Sequence, residues 1–91
     1  MGSEASRAES ESIIKDALRR DLSLFESKER LTSLEIRELE CKYDMNSIDF
    51  LEKFERGDLG DDQDYFVWWS LIRGLEAIRS RKNKIKRMLL P

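Results

Sequence analysis

The sequence holds few of the residue types that usually carry out chemistry. It has no histidine, so the commonest general base and metal ligand is missing. Its single cysteine, Cys41, has no second cysteine for a disulfide, and we expect its thiol to be packed within the first helix. Gly57 and Gly60 lack the motif and the preceding strand of a phosphate-binding loop. These features predict a protein that is not an enzyme and has no cofactor.

A cluster of aspartates is the feature closest to a metal site: Asp58, Asp61, Asp62 and Asp64. A calcium-binding loop needs a glycine at its sixth position and a glutamate at its twelfth, and the cluster fails this pattern. Asp61 instead fits the N-cap of a following helix, with Asp64 three residues later in the capping pattern. We therefore interpret the cluster as helix capping and expect no metal.

The C-terminal part of the chain is strongly basic. Residues 65–91 carry seven basic groups and one acidic group, whereas residues 44–64 carry two basic and eight acidic groups. The cations that could contact nucleic-acid phosphates are Arg79, Arg81, Lys82, Lys84, Lys86 and Arg87. Cations near a helix C-terminus also complement the helix dipole, and no aromatic residue is interleaved among them. A solvated face or a protein contact is therefore favoured, with nucleic-acid binding as the alternative.

Two long helices with heptad seams would position these groups. The first, over about 10–42, carries a seam at Leu18, Leu22, Phe25, Glu29, Thr32, Ile36, Leu39 and Tyr43. The second, over about 62–89, carries a seam at Trp68, Leu71, Leu75, Ile78, Lys82, Ile85 and Leu89. Antiparallel pairing with Tyr43 beside Trp68 places Glu29 near Lys82. The two seams therefore predict an ion pair that selects the register.

Further apolar residues of the first helix lie off its seam: Leu24, Leu31 and Leu34. They widen the apolar surface, which suggests contact with more than one neighbouring helix.

Between the long helices, residues 43–74 form an elbow with a short helix over 46–56. Asn46 is its predicted N-cap, and Asp49 falls at the third helical position. Met45 and Phe50 have the spacing of a hydrophobic staple. Gly57 ends the short helix because glycine adopts the left-handed conformation without steric cost.

The elbow is also the candidate binding surface. Trp68 and Trp69 point about 100° apart on a helix, so a single two-helix contact cannot bury both. We expect one to pack on the short helix and the other to face a partner chain. The predicted partner-binding residues are Phe50, Phe54, Tyr65, Phe66, Trp68 and Trp69.

With 91 residues, the chain is at most one domain, which we place at 11–90 after a disordered polar leader at 1–10. Gly2 and Ser6 fit the permissive myristoylation pattern, but we do not expect that modification. No signal peptide is visible and no apolar run approaches the roughly 20 residues of a membrane span, so we expect no membrane contact. The lone cysteine fits a reducing cytosol.

The elbow resembles a group of small prokaryotic proteins, best known from archaea and cyanobacteria. Their pattern reads roughly Y-G-M-S-S-x-x-F-x-x-x-F-x-x-G-E-L-G-D-x-x-D-x-x-x-W after a Leu/Glu/Arg-rich helix. The matching residues here are Tyr43 to Ser47, Phe50, Phe54, Gly57 to Asp61 and Asp64, with Trp69 one residue after the tryptophan position of the pattern. The resemblance covers about residues 31–80. Asp44 replaces the usual glycine, and Asn46 replaces a serine cap. Some members look like the antitoxin of a toxin–antitoxin pair.

Together these features predict an all-α chain folded as an antiparallel helical hairpin with a short elbow helix. We expect a homodimer, in the form of a dimeric helical bundle held by the two seams, because so short a chain buries little surface alone. The leading functional hypothesis is an antitoxin-like, non-catalytic module that binds and masks a partner protein with the aromatic elbow or the free helix face. A small toxin protein is the candidate partner. The alternative is a nucleic-acid-binding or regulatory protein that uses the basic C-terminal helix.

Overall fold

The computed structural model describes residues 3–90 and is all-helical over that range. Helix α1 spans Ser3–Tyr43, α2 spans Ser47–Glu55 and α3 spans Gln63–Leu89. The three helices and the order predicted from the sequence are confirmed. Helix α1 begins earlier than the predicted residue 10. The disorder proposed for residues 1–10 stays a prediction, and Gly2 of the myristoylation pattern lies outside the described residues.

The two long helices pack against each other as an antiparallel hairpin, and the longest dimension of the molecule is 68 Å. Ile36 of α1 and Ile72 of α3 are buried in the same cluster as Phe50 and Trp68, so the core lies at the elbow end. The rings of Tyr43 and Trp68 lie 6.0 Å apart, which confirms the predicted register at this end. Because α1 is longer than α3, its N-terminal part has no facing helix within the chain, and residues 7–16 are all exposed.

Polar side chains set where the two later helices begin. The Asn46 side-chain oxygen accepts from the Asp49 backbone N–H at 2.8 Å, as predicted. The cap of α3 is Asp62, whose carboxylate accepts from the Asp64 N–H at 2.9 Å. The prediction of Asp61 as this cap was wrong by one residue. The start of α3 is fixed by tertiary contacts of Asp62 and Asp64 with α1, which local spacing does not encode.

Two residues with positive φ end the first two helices. Asp44 has φ 49°, and the Met45 N–H donates to the Glu40 carbonyl at 3.1 Å. Gly57 has φ 73°, and the Asp58 N–H donates to the Lys53 carbonyl at 2.9 Å. Both are left-handed C-terminal caps that satisfy helix carbonyls which would otherwise have no donor. Asp44 therefore adopts a conformation that non-glycine residues rarely take and that aspartate tolerates better than most.

Substitution of two glycines by alanine should change stability in opposite directions. Gly57→Ala should lower the free energy of unfolding by about 1–2 kcal/mol, because an L-residue is strained in the left-handed region. Gly74→Ala should raise it by about 0.5–1 kcal/mol, because Gly74 lies inside α3 and an added Cβ meets nothing within 4 Å. Urea unfolding of both variants measures the two changes. Equal signs would contradict the cap assigned to Gly57.

The predicted ion pair between the seams is present. The Lys82 Nζ donates to Glu29 Oε1 at 2.7 Å, and the Arg79 Nε donates to Glu29 Oε2 at 3.0 Å. The Lys82 and Glu29 side chains are only 16% and 20% exposed. One carboxylate of α1 is thus held by two cations of α3, and this polar layer opposes a shift of one seam along the other.

Charge reversal tests whether this layer sets the register. Glu29→Lys should lower the thermal midpoint because it places a third cation beside Arg79 and Lys82. Lys82→Glu should lower the midpoint because it faces Glu29 with a second carboxylate. The double variant should recover part of the loss, since opposite charges face each other again at positions 29 and 82 while Arg79 remains beside the new cation. Asp16→Lys is the control, because the Asp16–Arg19 pair is about 60% exposed and should matter little. Additive losses in the double variant would exclude a direct pair.

Candidate interaction surface

A stack of aromatic rings fills the elbow and fixes its geometry. The rings of Phe50 and Trp68 lie 4.0 Å apart and within 7° of parallel, and neither side chain has any exposed surface. The Trp68 indole N–H donates to the Ser47 hydroxyl at 3.0 Å, and that hydroxyl donates to Glu40 Oε2 at 3.0 Å. All three helices are therefore tied together around Trp68, and its buried N–H is satisfied.

The acidic caps of α3 are held by the end of α1. The Tyr43 hydroxyl donates to Asp64 Oδ2 at 2.7 Å and to Asp62 Oδ2 at 3.2 Å. The Lys42 Nζ donates to the same Asp64 oxygen at 2.6 Å. These contacts give Asp62 and Asp64 a structural role at the elbow. Within residues 7–90, no group of acidic or thiol side chains has the arrangement of a metal site.

These contacts, and those of Glu29 with Lys82 and Arg79, shift the pKa values of four side chains. Hydrogen bonds from Lys42 and then Tyr43 lower the pKa of Asp64, and hydrogen bonds from Lys82 and then Arg79 lower the pKa of Glu29. The hydrogen bond from Lys42 to Asp64 raises the pKa of Lys42. The hydrogen bond from Tyr43 to Asp64, and then burial, raise the pKa of Tyr43. Each shifted group lies in a contact between α1 and α3, so the shifts reflect structural pairing.

Acid should therefore destabilise the hairpin. A carboxylate whose pKa is lowered on folding stabilises the folded state above its unfolded pKa, and this contribution disappears as pH falls through the folded value. The thermal midpoint should fall as pH drops below about 4, the ordinary range of Asp and Glu. Glu29→Gln should flatten this fall, whereas Glu35→Gln, at an exposed position of α1, should leave it unchanged. Equal slopes in the two variants would contradict the role of Glu29.

A second set of aromatic rings lies on the outside of the elbow. Phe54 of α2 lies 5.5 Å from Phe66 and 6.2 Å from Trp69 of α3, measured between ring centroids. Phe66 is 53% exposed and Trp69 is 37% exposed. The Arg73 guanidinium lies 5.7 Å above the Trp69 ring. We call Phe54, Phe66, Trp69 and Arg73 the outer aromatic face.

The structure divides the predicted binding residues into two groups. Phe54, Phe66 and Trp69 are brought together on the outer aromatic face. Phe50 and Trp68 are wholly buried, so they support that face from inside and cannot touch a partner of the folded chain. Tyr65 is half-buried, and its ring centroid lies 6.1 Å from that of Phe50. Of the two adjacent tryptophans, Trp68 is the one in the core.

Arg73 is the residue of this face that the sequence analysis missed. Its guanidinium donates to Glu55 Oε1 at 2.7 Å, which holds it at the edge of α2. A signal was present in the spacing, because positions four after Trp69 and seven after Phe66 share one side of a helix. The face thus combines two exposed aromatic rings with an arginine that an ion pair orients.

The six basic residues predicted as a nucleic-acid contact do not form a single cationic surface. Arg79 and Lys82 are engaged by Glu29. The remaining four are exposed along the end of α3: Arg81, Lys84, Lys86 and Arg87. Among the residues described, no helix has the length and apolar character needed to cross a bilayer.

Cys41 is exposed, so the prediction of a packed thiol was wrong. Cys41 lies on α1 between two seam residues, Leu39 and Tyr43, which pack against the core cluster. It is two residues from each of them and therefore lies on the side of α1 that faces away from α3, which explains its exposure.

Comparison with family models, with curated proteins and with solved structures gives no match for this chain. The resemblance of the elbow to small antitoxin-like prokaryotic proteins therefore stays a prediction. The geometry of the outer aromatic face is the firmest basis for a functional conclusion.

Proposed function

We propose that this chain is a non-catalytic, antitoxin-like interaction module that binds and masks a small partner protein through the outer aromatic face. The observation that carries the proposal is the exposure of Phe66 and Trp69 beside an oriented Arg73. Tryptophan and arginine are enriched among the residues that dominate binding energy at protein interfaces. An exposed aromatic cluster of this kind is typical of an interaction site.

The packing beneath the outer aromatic face also favours binding. Phe54 contacts both Phe66 and Trp69 and, on its other side, lies 5.4 Å from the buried ring of Phe50. The exposed rings are therefore attached to a packed core, so little side-chain freedom is lost when a partner covers them. Preorganisation of this kind increases affinity because it lowers the entropic cost of association.

The non-catalytic part of the proposal is supported by the roles of the ionisable groups. In the described part of the chain, four groups have a shifted pKa, and each pairs with another helix: Glu29, Lys42, Tyr43 and Asp64. None of them lies on the outer aromatic face. The proposal also includes a homodimer located in the cytosol, where an exposed thiol such as Cys41 remains reduced.

The test is capture of the tagged chain from its native lysate, with and without nuclease, at low and moderate salt. We expect one small protein to be retained in stoichiometric amount in every condition. Recovery of nucleic acid alone, lost on nuclease treatment and steeply weakened by salt, would overturn the proposal. It would instead support the basic end of α3, since phosphate contacts depend strongly on salt.

A further inference from the structure

Helix α1 carries a second stripe of residues at heptad spacing, apart from the seam that packs on α3. Its apolar members are Ile13, Ala17, Leu24, Leu31, Leu34 and Cys41, and its polar members are Arg20, Ser27 and Glu38. The steps along the stripe alternate between three and four residues, the pattern of a coiled-coil face. We call this set the second stripe.

The second stripe faces away from α3. At 3.6 residues per turn, its members lie about 160° around α1 from the seam. The burial agrees, because Ile13, Leu24, Leu31 and Leu34 are between 53% and 66% exposed. Large apolar residues at heptad spacing on an outer helix face are typical of an interface with another helix.

We propose that the second stripe binds the same stripe of a second copy of this chain, with the two α1 helices antiparallel. Only one alignment of the copies sets Arg20 against Glu38 of the other copy, and two-fold symmetry makes this contact twice. The same alignment pairs Leu24 with Leu34, Leu31 with Ser27, and Ala17 with Cys41. Every large apolar residue of the second stripe between Ala17 and Cys41 is then covered.

A parallel pairing is disfavoured by the same two charges. It would place Arg20 against Arg20 and Glu38 against Glu38 within the interface, where like charges repel. In the antiparallel alignment, Lys28 and Arg30 lie near their own counterparts at the two-fold axis, and Asp21 lies near Glu35 of the other copy. All four side chains are exposed, so salt and water screen these repulsions, and their cost is smaller.

This inference deepens the homodimer included in the proposed function and supplies its interface. The hairpin seams cannot supply that interface, because they already pack on each other within one chain. The second stripe lies on α1, whereas the outer aromatic face lies on α2 and α3. A dimer formed through α1 therefore shares no residue with the surface proposed for the partner protein.

Cys41 makes the alignment testable by disulfide crosslinking. We expect Ala17→Cys to give a covalent dimer in high yield with diamide as oxidant, because its thiol faces Cys41 of the second copy. The wild-type chain should not crosslink, since antiparallel copies hold their Cys41 residues about 36 Å apart at 1.5 Å per residue. Leu24→Cys is the matched control for an alignment shifted by one heptad and should not crosslink.

Light scattering supplies a readout that does not depend on crosslinking. We expect the wild type to have the mass of a dimer and Leu31→Asp to have the mass of a monomer with unchanged helical circular dichroism. Met88→Asp, at an exposed apolar position of α3, should remain a dimer. A wild-type monomer would overturn both the homodimer and this inference. A dimer in which wild-type Cys41 crosslinks, or in which only Leu24→Cys does, would overturn the inference and leave the homodimer standing.

Discussion

Trp68→Ala should remove about 3–5 kcal/mol from the free energy of unfolding, the usual effect of truncating a large buried aromatic residue. The ring is wholly buried, stacks on Phe50 and has an N–H that is satisfied only through Ser47. Domains of ordinary stability have about 5–15 kcal/mol in total, so much of the hairpin's stability should disappear. Urea unfolding followed by circular dichroism measures this loss.

The adjacent tryptophan is the matched control for this prediction. Trp69→Ala should cost about 1 kcal/mol, because Trp69 keeps more than a third of its surface in water. The two variants differ by one position and remove the same side chain, so their difference isolates burial. Equal losses would contradict the assignment of Trp68 to the core and Trp69 to the surface.

Phe66→Ala/Trp69→Ala should weaken binding of the captured partner protein by at least about 100-fold. Truncation of one hot-spot aromatic residue typically costs about 2 kcal/mol of binding free energy, and 1.4 kcal/mol is a factor of ten. Removal of both rings also leaves Arg73 without its cation–π contact to Trp69. Isothermal titration calorimetry with the purified partner gives the change in Kd.

The matched control for the binding variant is Met88→Ala/Leu90→Ala. These two side chains are also exposed and apolar, at 63% and 68%, but lie at the far end of α3 from the elbow. We expect wild-type affinity in this control and wild-type helical content in both double variants. Loss of affinity in the control alone would place the binding surface at the basic end of α3.

The sequence predicted the hairpin and its register because both depend on periodic patterns. Heptad spacing identifies which side of each long helix packs, and a single charged position in each seam then aligns them. Glu29 and Lys82 meet as expected, and the ring of Tyr43 lies beside Trp68. Local chemistry also located Asn46 and Gly57, since capping and a left-handed turn depend on a few neighbouring residues.

Features that depend on three-dimensional contacts could not be predicted in the same way. The cap of α3 is Asp62 and not the predicted Asp61, because Tyr43 and Lys42 hold the first turn of α3 in place through Asp62 and Asp64. Periodicity places Trp68 and Trp69 on different sides of α3 but does not say which side α2 covers. Arg73 is assigned to the outer aromatic face only because of its contacts with Trp69 and Glu55 in the structure.

The most direct test of the central claim is fluorine NMR of the chain labelled with 5-fluorotryptophan, free and bound to its partner protein. The chain has two tryptophans, so two resonances are expected. A soluble paramagnetic agent should broaden only the Trp69 resonance in the free chain, and neither resonance in the complex. Broadening of both in the free chain would contradict the buried stack. A Trp69 resonance that remains accessible in the complex would contradict the outer aromatic face as the binding surface.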